Sequence, residues 1–157
     1  MSEYTLIAQI SSARQGHRLI QIGVSLFLFT SFEGFVIPYL PAPRLGLSVH
    51  TLSALQGLIF LALGLAWPRL VLGPAASAAA FWLFVYSAFA TLVPYVLAAV
   101  WGAGNSTMPL AAGTARGTPF QEAVIKVIIY TAALPAILSF VLMLFGLRVA
   151  PSQRAVP

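Results

Sequence analysis

Residues 48–67 read SVHTLSALQGLIFLALGLAW, an apolar run of membrane-spanning length with a histidine, His50, and a glutamine, Gln56, near its start. From Leu52 onward the run carries no charge, and Ser53 and Gln56 are its polar side chains. Polar groups inside a membrane helix are costly and often functional. They also occur as simple contacts between paired helices, so a functional and a structural interpretation both remain open at this point.

The whole chain has the composition of an integral membrane protein. It has 157 residues, of which 60% are hydrophobic and 7% charged, and its mean hydropathy is +0.95. Soluble domains carry about 25% charged residues, so a soluble globular fold is excluded. The basic residues lie mostly beside the apolar segments, where they anchor helices to anionic headgroups and do not indicate a nucleic-acid site. The chain has no cysteine, which excludes disulfides, thiolate metal sites and iron–sulfur clusters.

The apolar segments predict an all-α fold, a bundle of four transmembrane helices in a single domain. The predicted helices cover about residues 19–37, 49–67, 75–101 and 120–147. Each is long enough to cross a hydrocarbon core of about 30 Å, and prolines or glycines separate them. Four spans place both termini on one side, together with the larger share of the arginines. This distribution favours cytoplasmic termini and a bacterial inner (plasma) membrane.

Polar side chains concentrate in one third of the predicted bundle. Counting along helices of alternating direction puts Gln56 and Tyr95 each about 9 Å below the face opposite the termini. Glu33, Glu122 and Lys126 fall in the same third. We therefore expect one polar pocket there, beneath the long loop that follows the third helix. Glu122 and Lys126 are spaced i,i+4, which predicts a local ion pair.

The two histidines are predicted to lie at opposite faces of the membrane. His17 precedes the first span and His50 begins the second, so about 30 Å separates them within one protomer. They cannot bracket one iron, which excludes a bis-histidine haem inside a protomer. A single histidine can still be the proximal ligand of a five-coordinate haem with an open sixth position. His50 is the candidate placed near the polar pocket.

The segments GHRLIQ at the start of the first span and VHTLSALQG at the start of the second, with Tyr95 at its spacing from both, resemble the styrene oxide isomerase family. The resemblance extends over about residues 16–147. It implies a homotrimer with haem b at the subunit interfaces, His50 as the axial ligand of the iron, and Tyr95 and Gln56 on the substrate side. The family usually has Asn where this chain has Gln56. Because Gln extends the amide by one methylene, we expect a different substrate range.

The resemblance also implies a reaction, the redox-neutral isomerisation of an aryl epoxide such as styrene oxide to an arylacetaldehyde. Ferric haem would act as a Lewis acid on the epoxide oxygen, and a 1,2-hydride shift would follow ring opening. Tyr95 and Gln56 would be the catalytic residues, acting on the developing alkoxide. The implied partners are a small apolar epoxide, the lipid bilayer and further copies of the chain, with no nucleic acid.

Three other interpretations remain open. Glu33, a carboxylate near the end of the first span, resembles the acid with which small multidrug transporters exchange protons for cationic drugs. A trimer like the membrane glutathione transferases is the second interpretation, although the cluster of basic and carboxamide residues expected within its helices is missing. A haem protein of another function, such as a gas sensor, fits His50 equally well.

Overall fold

The structure, a computed structural model, describes the backbone of residues 3–147 and the side chains of residues 10–147. Within this part of the chain the helices are α1 Glu3–Val36, α2 Pro43–Ala66, α3 Pro74–Trp101, α4 Pro109–Ala112 and α5 Pro119–Gly146, and there is no strand. Short 3-10 turns, Ile37–Tyr39 and Trp67–Arg69, follow α1 and α2. The four long helices contain apolar spans of 27 to 30 residues. The predicted all-α membrane bundle is therefore confirmed.

The first two long helices begin earlier than the apolar pattern predicts. α1 starts at Glu3 because no proline interrupts the polar segment ahead of its apolar run. α2 starts at Pro43, and the fixed φ of proline suits the first turn of a helix. His50 consequently lies about two turns inside α2 and not at its first residue.

The long helices pack as two hairpins. α1 packs along α2, α3 packs along α5, and contacts between α2 and α3 join the two pairs. The rings of Phe60 and Phe84 lie 4.6 Å apart between centroids at this junction, and Trp67 meets Phe81 edge to face. Aromatic side chains thus join α2 to α3, and large apolar side chains on α1 and α5 stay exposed in the protomer.

The α1–α2 hairpin is held close by two pairs of glycines, which we call the glycine seam: Gly16 with Gly64, and Gly23 with Gly57. A Cβ added to Gly16 would lie 2.7 Å from the carbonyl oxygen of Gly64, and one added to Gly23 would lie 2.8 Å from that of Gly57. The two helix backbones therefore touch at points about two turns apart. Small residues permit this approach, which is how membrane helices gain packing energy without a hydrophobic driving force.

Buried hydrogen bonds fix the register of α1 on its neighbours. The hydroxyls of Thr30 and Ser53 lie 2.7 Å apart, and both side chains are buried. At the other end of α1, the side-chain oxygen of Gln15 accepts from Trp67 Nε1 at 3.0 Å and from the Ser77 hydroxyl at 2.8 Å. Because these bonds lie at two levels of the hairpin, a slide of α1 along α2 would break them together.

The glycine seam predicts a position-specific cost of added side-chain volume. Gly23→Ser should lower the unfolding temperature of the detergent-purified protein, since the new atoms overlap a backbone oxygen. Overpacking of this kind costs about 1 to 3 kcal/mol. The matched control is Gly73→Ser, because a Cβ at Gly73 meets nothing within 4 Å. Equal unfolding temperatures for the two variants would contradict the close backbone contact proposed at the glycine seam.

The topology predicts opposite accessibility for two exposed loop positions. The chain has no cysteine, so Leu110→Cys before α5 and Val71→Cys before α3 are single labelling sites, at side chains 88% and 71% exposed. A membrane-impermeant thiol reagent added to sealed vesicles of uniform orientation should label one of them and not the other. Labelling of both from one side would overturn the four-span arrangement.

Candidate active site

His50 is held by the end of α1. Its Nδ1 lies 3.2 Å from Glu33 Oε2, and the side chains of His50 and Glu33 are 39% and 9% exposed. Gly34 adds a close contact, since a Cβ there would lie 3.3 Å from His50 Cε1. A carboxylate only accepts hydrogen bonds, so in the neutral imidazole Nδ1 carries the proton and Nε2 keeps its lone pair. The arrangement leaves Nε2 as the nitrogen that can bind a metal.

Glu33 also borders a cavity of about 280 Å³ between α1 and α3. The other lining side chains are apolar, among them Phe32, Val49 and Ala99. Glu33 Oε1 is buried and has no hydrogen-bond partner among residues 10–147. His50 is thus the one donor that this carboxylate finds in the described part of the chain.

Gln56 lies deeper in the bundle than predicted. Its amide nitrogen donates to the carbonyl oxygen of Ala88 at 3.0 Å. Ala88 precedes Tyr95 by seven residues of α3, a rise of about 10 Å. The prediction that Gln56 and Tyr95 reach one depth is therefore wrong. The reason is the early start of α2 at Pro43, which places Gln56 near the middle of its helix.

Tyr95 belongs to a different cavity, of about 450 Å³, on the side of α2 that faces α4. Besides Tyr95, its lining includes Thr51 and Leu55 of α2 and Ala111 of α4, and His50 is not part of it. On a helix, the neighbours His50 and Thr51 point about 100° apart. One protomer consequently does not bring His50, Gln56 and Tyr95 into a single pocket.

Glu122 organises the long loop between α3 and α5. Its two carboxylate oxygens accept five hydrogen bonds, from the backbone N–H groups of Gly104, Asn105, Ser106 and Gly117 and from the Ser106 hydroxyl. The loop is folded around this carboxylate, and its short helix α4 covers the cavity beside Tyr95.

The predicted ion pair between Glu122 and Lys126 is wrong. The Lys126 ammonium lies 6.0 Å from the centre of the Tyr130 ring, and no Lys or Arg within residues 10–147 forms an ion pair with a carboxylate. The loop N–H groups occupy Glu122 instead, because they are fixed donors already within reach of the first turn of α5. Glu122 therefore belongs to the loop and not to the polar site at His50.

Metal ligands are sparse in this protein. Residues 10–147 contain no group of three His, Cys, Asp or Glu side chains that could hold a metal ion. A single histidine can hold a metal whose remaining ligands come from a macrocycle such as a porphyrin. The site thus suits one axial bond and does not suit a metal ion bound by side chains alone.

The role of Glu122 gives a test of the loop. Glu122→Ala leaves four backbone N–H groups without their acceptor, at about 1 to 3 kcal/mol for each one that stays buried. Trypsin cleavage after Arg116, in the same loop, should become at least about tenfold faster in detergent-solubilised protein. Ser106→Ala removes one donor side chain and keeps the carboxylate, so it should change the rate much less. Equal cleavage rates for Glu122→Ala and the unaltered protein would contradict the role given to Glu122.

Comparisons with known proteins identify a matching family and two related mutases. The family model of styrene oxide isomerase matches residues 15–148. Hydroxylaminobenzene mutase HabB of Ectopseudomonas oleovorans is 42% identical over 150 residues, which cover 96% of this chain and 92% of the relative. Hydroxylaminobenzene mutase HabA of the same organism is 36% identical over 113 residues, or 72% of this chain and 84% of the relative. No solved structure matches the chain significantly.

The family match covers three of the four spans completely and the first from residue 15 onward, and its range includes His50, Gln56 and Tyr95. The relatives carry the names of mutases, and the family model carries the name of an isomerase. These matches disfavour the transporter and glutathione-transferase interpretations. The protein is a membrane isomerase or mutase, and the chain belongs to the styrene oxide isomerase family.

Proposed function

We propose that this protein is a haem b-dependent isomerase that rearranges small aromatic substrates containing a reactive bond to oxygen. The observation that carries the proposal is the His50 site. A single histidine, engaged at Nδ1 by a largely buried carboxylate, lies inside an apolar membrane helix with Nε2 left for a metal. The family match supports an intramolecular rearrangement as the reaction class.

The donor set fits haem. Haem iron needs one or two axial ligands from the protein, and the porphyrin supplies the other four. His50 provides one neutral imidazole, and its side chain is 39% exposed on the protomer surface. His17 does not provide a second ligand, because its neighbour Gly16 packs against Gly64, which is separated from His50 by a helix rise of about 21 Å. His50 Nε2 would therefore be the atom that holds the haem iron.

When bound, ferric haem supplies a Lewis-acidic position for the substrate oxygen. The chain contributes the surroundings. Its apolar spans exclude water, which would otherwise trap the cation that forms when the bond to oxygen opens. Tyr95 has a phenolic O–H that can donate to the negative charge developing on that oxygen. Gln56 has one N–H engaged by Ala88, and its remaining amide groups are available to orient the substrate.

We propose an N-arylhydroxylamine as the first substrate class, because the mutases that cover most of this chain are named for hydroxylaminobenzene. In the rearrangement the N–O bond breaks, the oxygen bonds to a ring carbon, and the ring proton moves to nitrogen. The product is an aminophenol of the same formula, so no reductant or oxidant is needed.

An aryl epoxide of the styrene oxide type is the second substrate class, supported by the family model. Its rearrangement breaks a benzylic C–O bond and moves a hydride to the neighbouring carbon, which gives an arylacetaldehyde. Both substrates present a bond to oxygen next to an aromatic ring that can delocalise positive charge. Gln56, at a position where we expect Asn in the family, is the residue to which we assign the choice between them.

We propose a homotrimer with the site between subunits. His50 and the cavity beside Tyr95 lie on different sides of α2 in one protomer. A neighbouring copy can bring His50 of one protomer to Tyr95 of the partner subunit, with the partner subunit's Gln56 about 10 Å deeper in the bundle. The exposed apolar faces of α1 and α5 supply surface for such contacts. We place the assembly in a bacterial inner membrane with cytoplasmic termini.

The substrate proposal is tested with purified haem-loaded protein and no added reductant or nucleotide. Hydroxylaminobenzene should give an aminophenol, and styrene oxide should give phenylacetaldehyde at a lower kcat/KM. Gln56→Asn should raise the epoxide rate relative to the hydroxylamine rate, since the shorter amide reaches less far. Conversion of neither substrate, or a diol from the epoxide, would contradict the proposal.

The roles of His50 and Tyr95 are separable. His50→Ala should lose the Soret absorbance, whereas His17→Ala, at an exposed position, should keep it. Tyr95→Phe should retain haem and lower kcat by about tenfold to a thousandfold with a smaller change in KM, as expected for one lost donor to a developing oxyanion. Tyr39→Phe is the matched control, because Tyr39 is 86% exposed. Full activity of Tyr95→Phe, or haem retained by His50→Ala, would refute the respective assignment.

A further inference from the structure

We infer that Glu33 is a positioning residue that orients the His50 imidazole and strengthens its bond to iron. The inference rests on the proposed function, because it requires haem on His50. Glu33 itself does not contact the substrate or the iron in this scheme. It acts through the ring nitrogen on the opposite side of the imidazole.

The geometry of the Glu33–His50 pair supports this role. Glu33 Oε2 lies 3.2 Å from His50 Nδ1, within hydrogen-bonding distance. A metal-bound histidine that donates its other N–H to a carboxylate is fixed in one tautomer and one ring orientation, and it becomes a stronger electron donor to the metal. Loss of such a partner weakens metal binding by about 10-fold to 100-fold.

Hydrogen bonds are distributed very differently over the two carboxylates of residues 10–147. Glu122 shares its charge among five donors. Glu33 has His50 as its one donor among the described residues, and its other oxygen is buried without a partner. A hydrogen bond to an ionised group is stronger than a neutral one, and a surrounding of low dielectric strengthens it further. The electrostatic effect of Glu33 is therefore directed at the His50 ring.

The backbone of His50 and one edge of its ring are already held in place by other contacts. Gly34 lets the α1 backbone come close to the ring, with a built Cβ 3.3 Å from His50 Cε1. The Ser53 hydroxyl bonds to the carbonyl oxygen of His50 at 3.1 Å and also to buried Thr30. Residues near Glu33 thus hold the backbone of His50 and one edge of its ring. The ring can still rotate, and the hydrogen bond to Glu33 limits this rotation.

The direct test is Glu33→Gln in the full-length haem protein. Gln keeps an oxygen acceptor and nearly the same shape but removes the charge. The iron–histidine stretching frequency of the ferrous protein should shift down, and the midpoint potential should shift to a more positive value, since the ferric state loses electron donation. Transfer of haem to an excess of apomyoglobin should become about 10-fold to 100-fold faster. Glu3→Gln, which removes a carboxylate at the opposite end of α1, should change none of these values.

A second measurement keeps the inference testable if Glu33→Gln purifies without haem. In His50→Gly, added imidazole can replace the missing ring on the iron and donate its N–H to Glu33. 1-Methylimidazole has no N–H to donate. Imidazole should bind more tightly than 1-methylimidazole by a factor on the order of ten, the effect of one charged hydrogen bond. In the His50→Gly, Glu33→Leu double variant that preference should vanish.

The outcomes separate the two proposals. A Soret band that depends on His50, with vibrational frequency, potential and haem transfer rate unchanged in Glu33→Gln, would overturn the role of Glu33 and leave the proposed function intact. An equal imidazole preference with and without Glu33 would do the same. Absence of haem from the unaltered protein would overturn both.

Discussion

The contact between the α1 and α2 backbones is the constraint on which the site depends. At Gly16 with Gly64 and at Gly23 with Gly57, no side chain separates the two helices. This spacing brings the last turns of α1 within hydrogen-bonding distance of His50, so that Glu33 can reach the ring. A wider separation would leave a carboxylate unpaired in the membrane, at a cost of several kcal/mol. The packing of the α1–α2 hairpin therefore determines the geometry of the site.

The carboxylates of Glu33 and Glu122 illustrate how the same group serves structure or chemistry. Glu122 is surrounded by backbone N–H groups of its loop and is satisfied within one folded segment. Glu33 depends on a residue of another helix, and its hydrogen bond involves the side chain best placed to bind a metal. The loop fixed by Glu122 in turn supplies Ala111 to the cavity beside Tyr95. Glu33 thus contributes to the proposed site through its hydrogen bond to His50. Glu122 contributes by fixing the loop that lines the cavity beside Tyr95.

Much of the fold could be predicted from hydropathy, because lipid requires long uninterrupted helices. The proximity of Glu33 to the region of His50 could also be predicted, because consecutive membrane helices alternate in direction. The depth of Gln56 could not, since it depends on where α2 begins, and a proline such as Pro43 is as typical of a loop as of the first turn of a helix. The glycines of the seam have the same spacing on both helices. This sequence pattern could have predicted the close contact between α1 and α2, but it does not stand out among the other glycines of the chain. Four of the five donors of Glu122 come from residues 104–106, which are 16 to 18 positions away, and no local pattern encodes their approach.

The central claim is an intramolecular rearrangement in a site that water does not reach. In that case the oxygen of the product must come from the substrate, because the membrane-embedded surroundings supply no other nucleophile. The most direct measurement is turnover of hydroxylaminobenzene in water enriched in ¹⁸O, with the aminophenol examined by mass spectrometry. The account predicts a product that retains the unlabelled oxygen of the substrate. Incorporation of ¹⁸O from the solvent would contradict it, since it would show that water attacks the opened substrate.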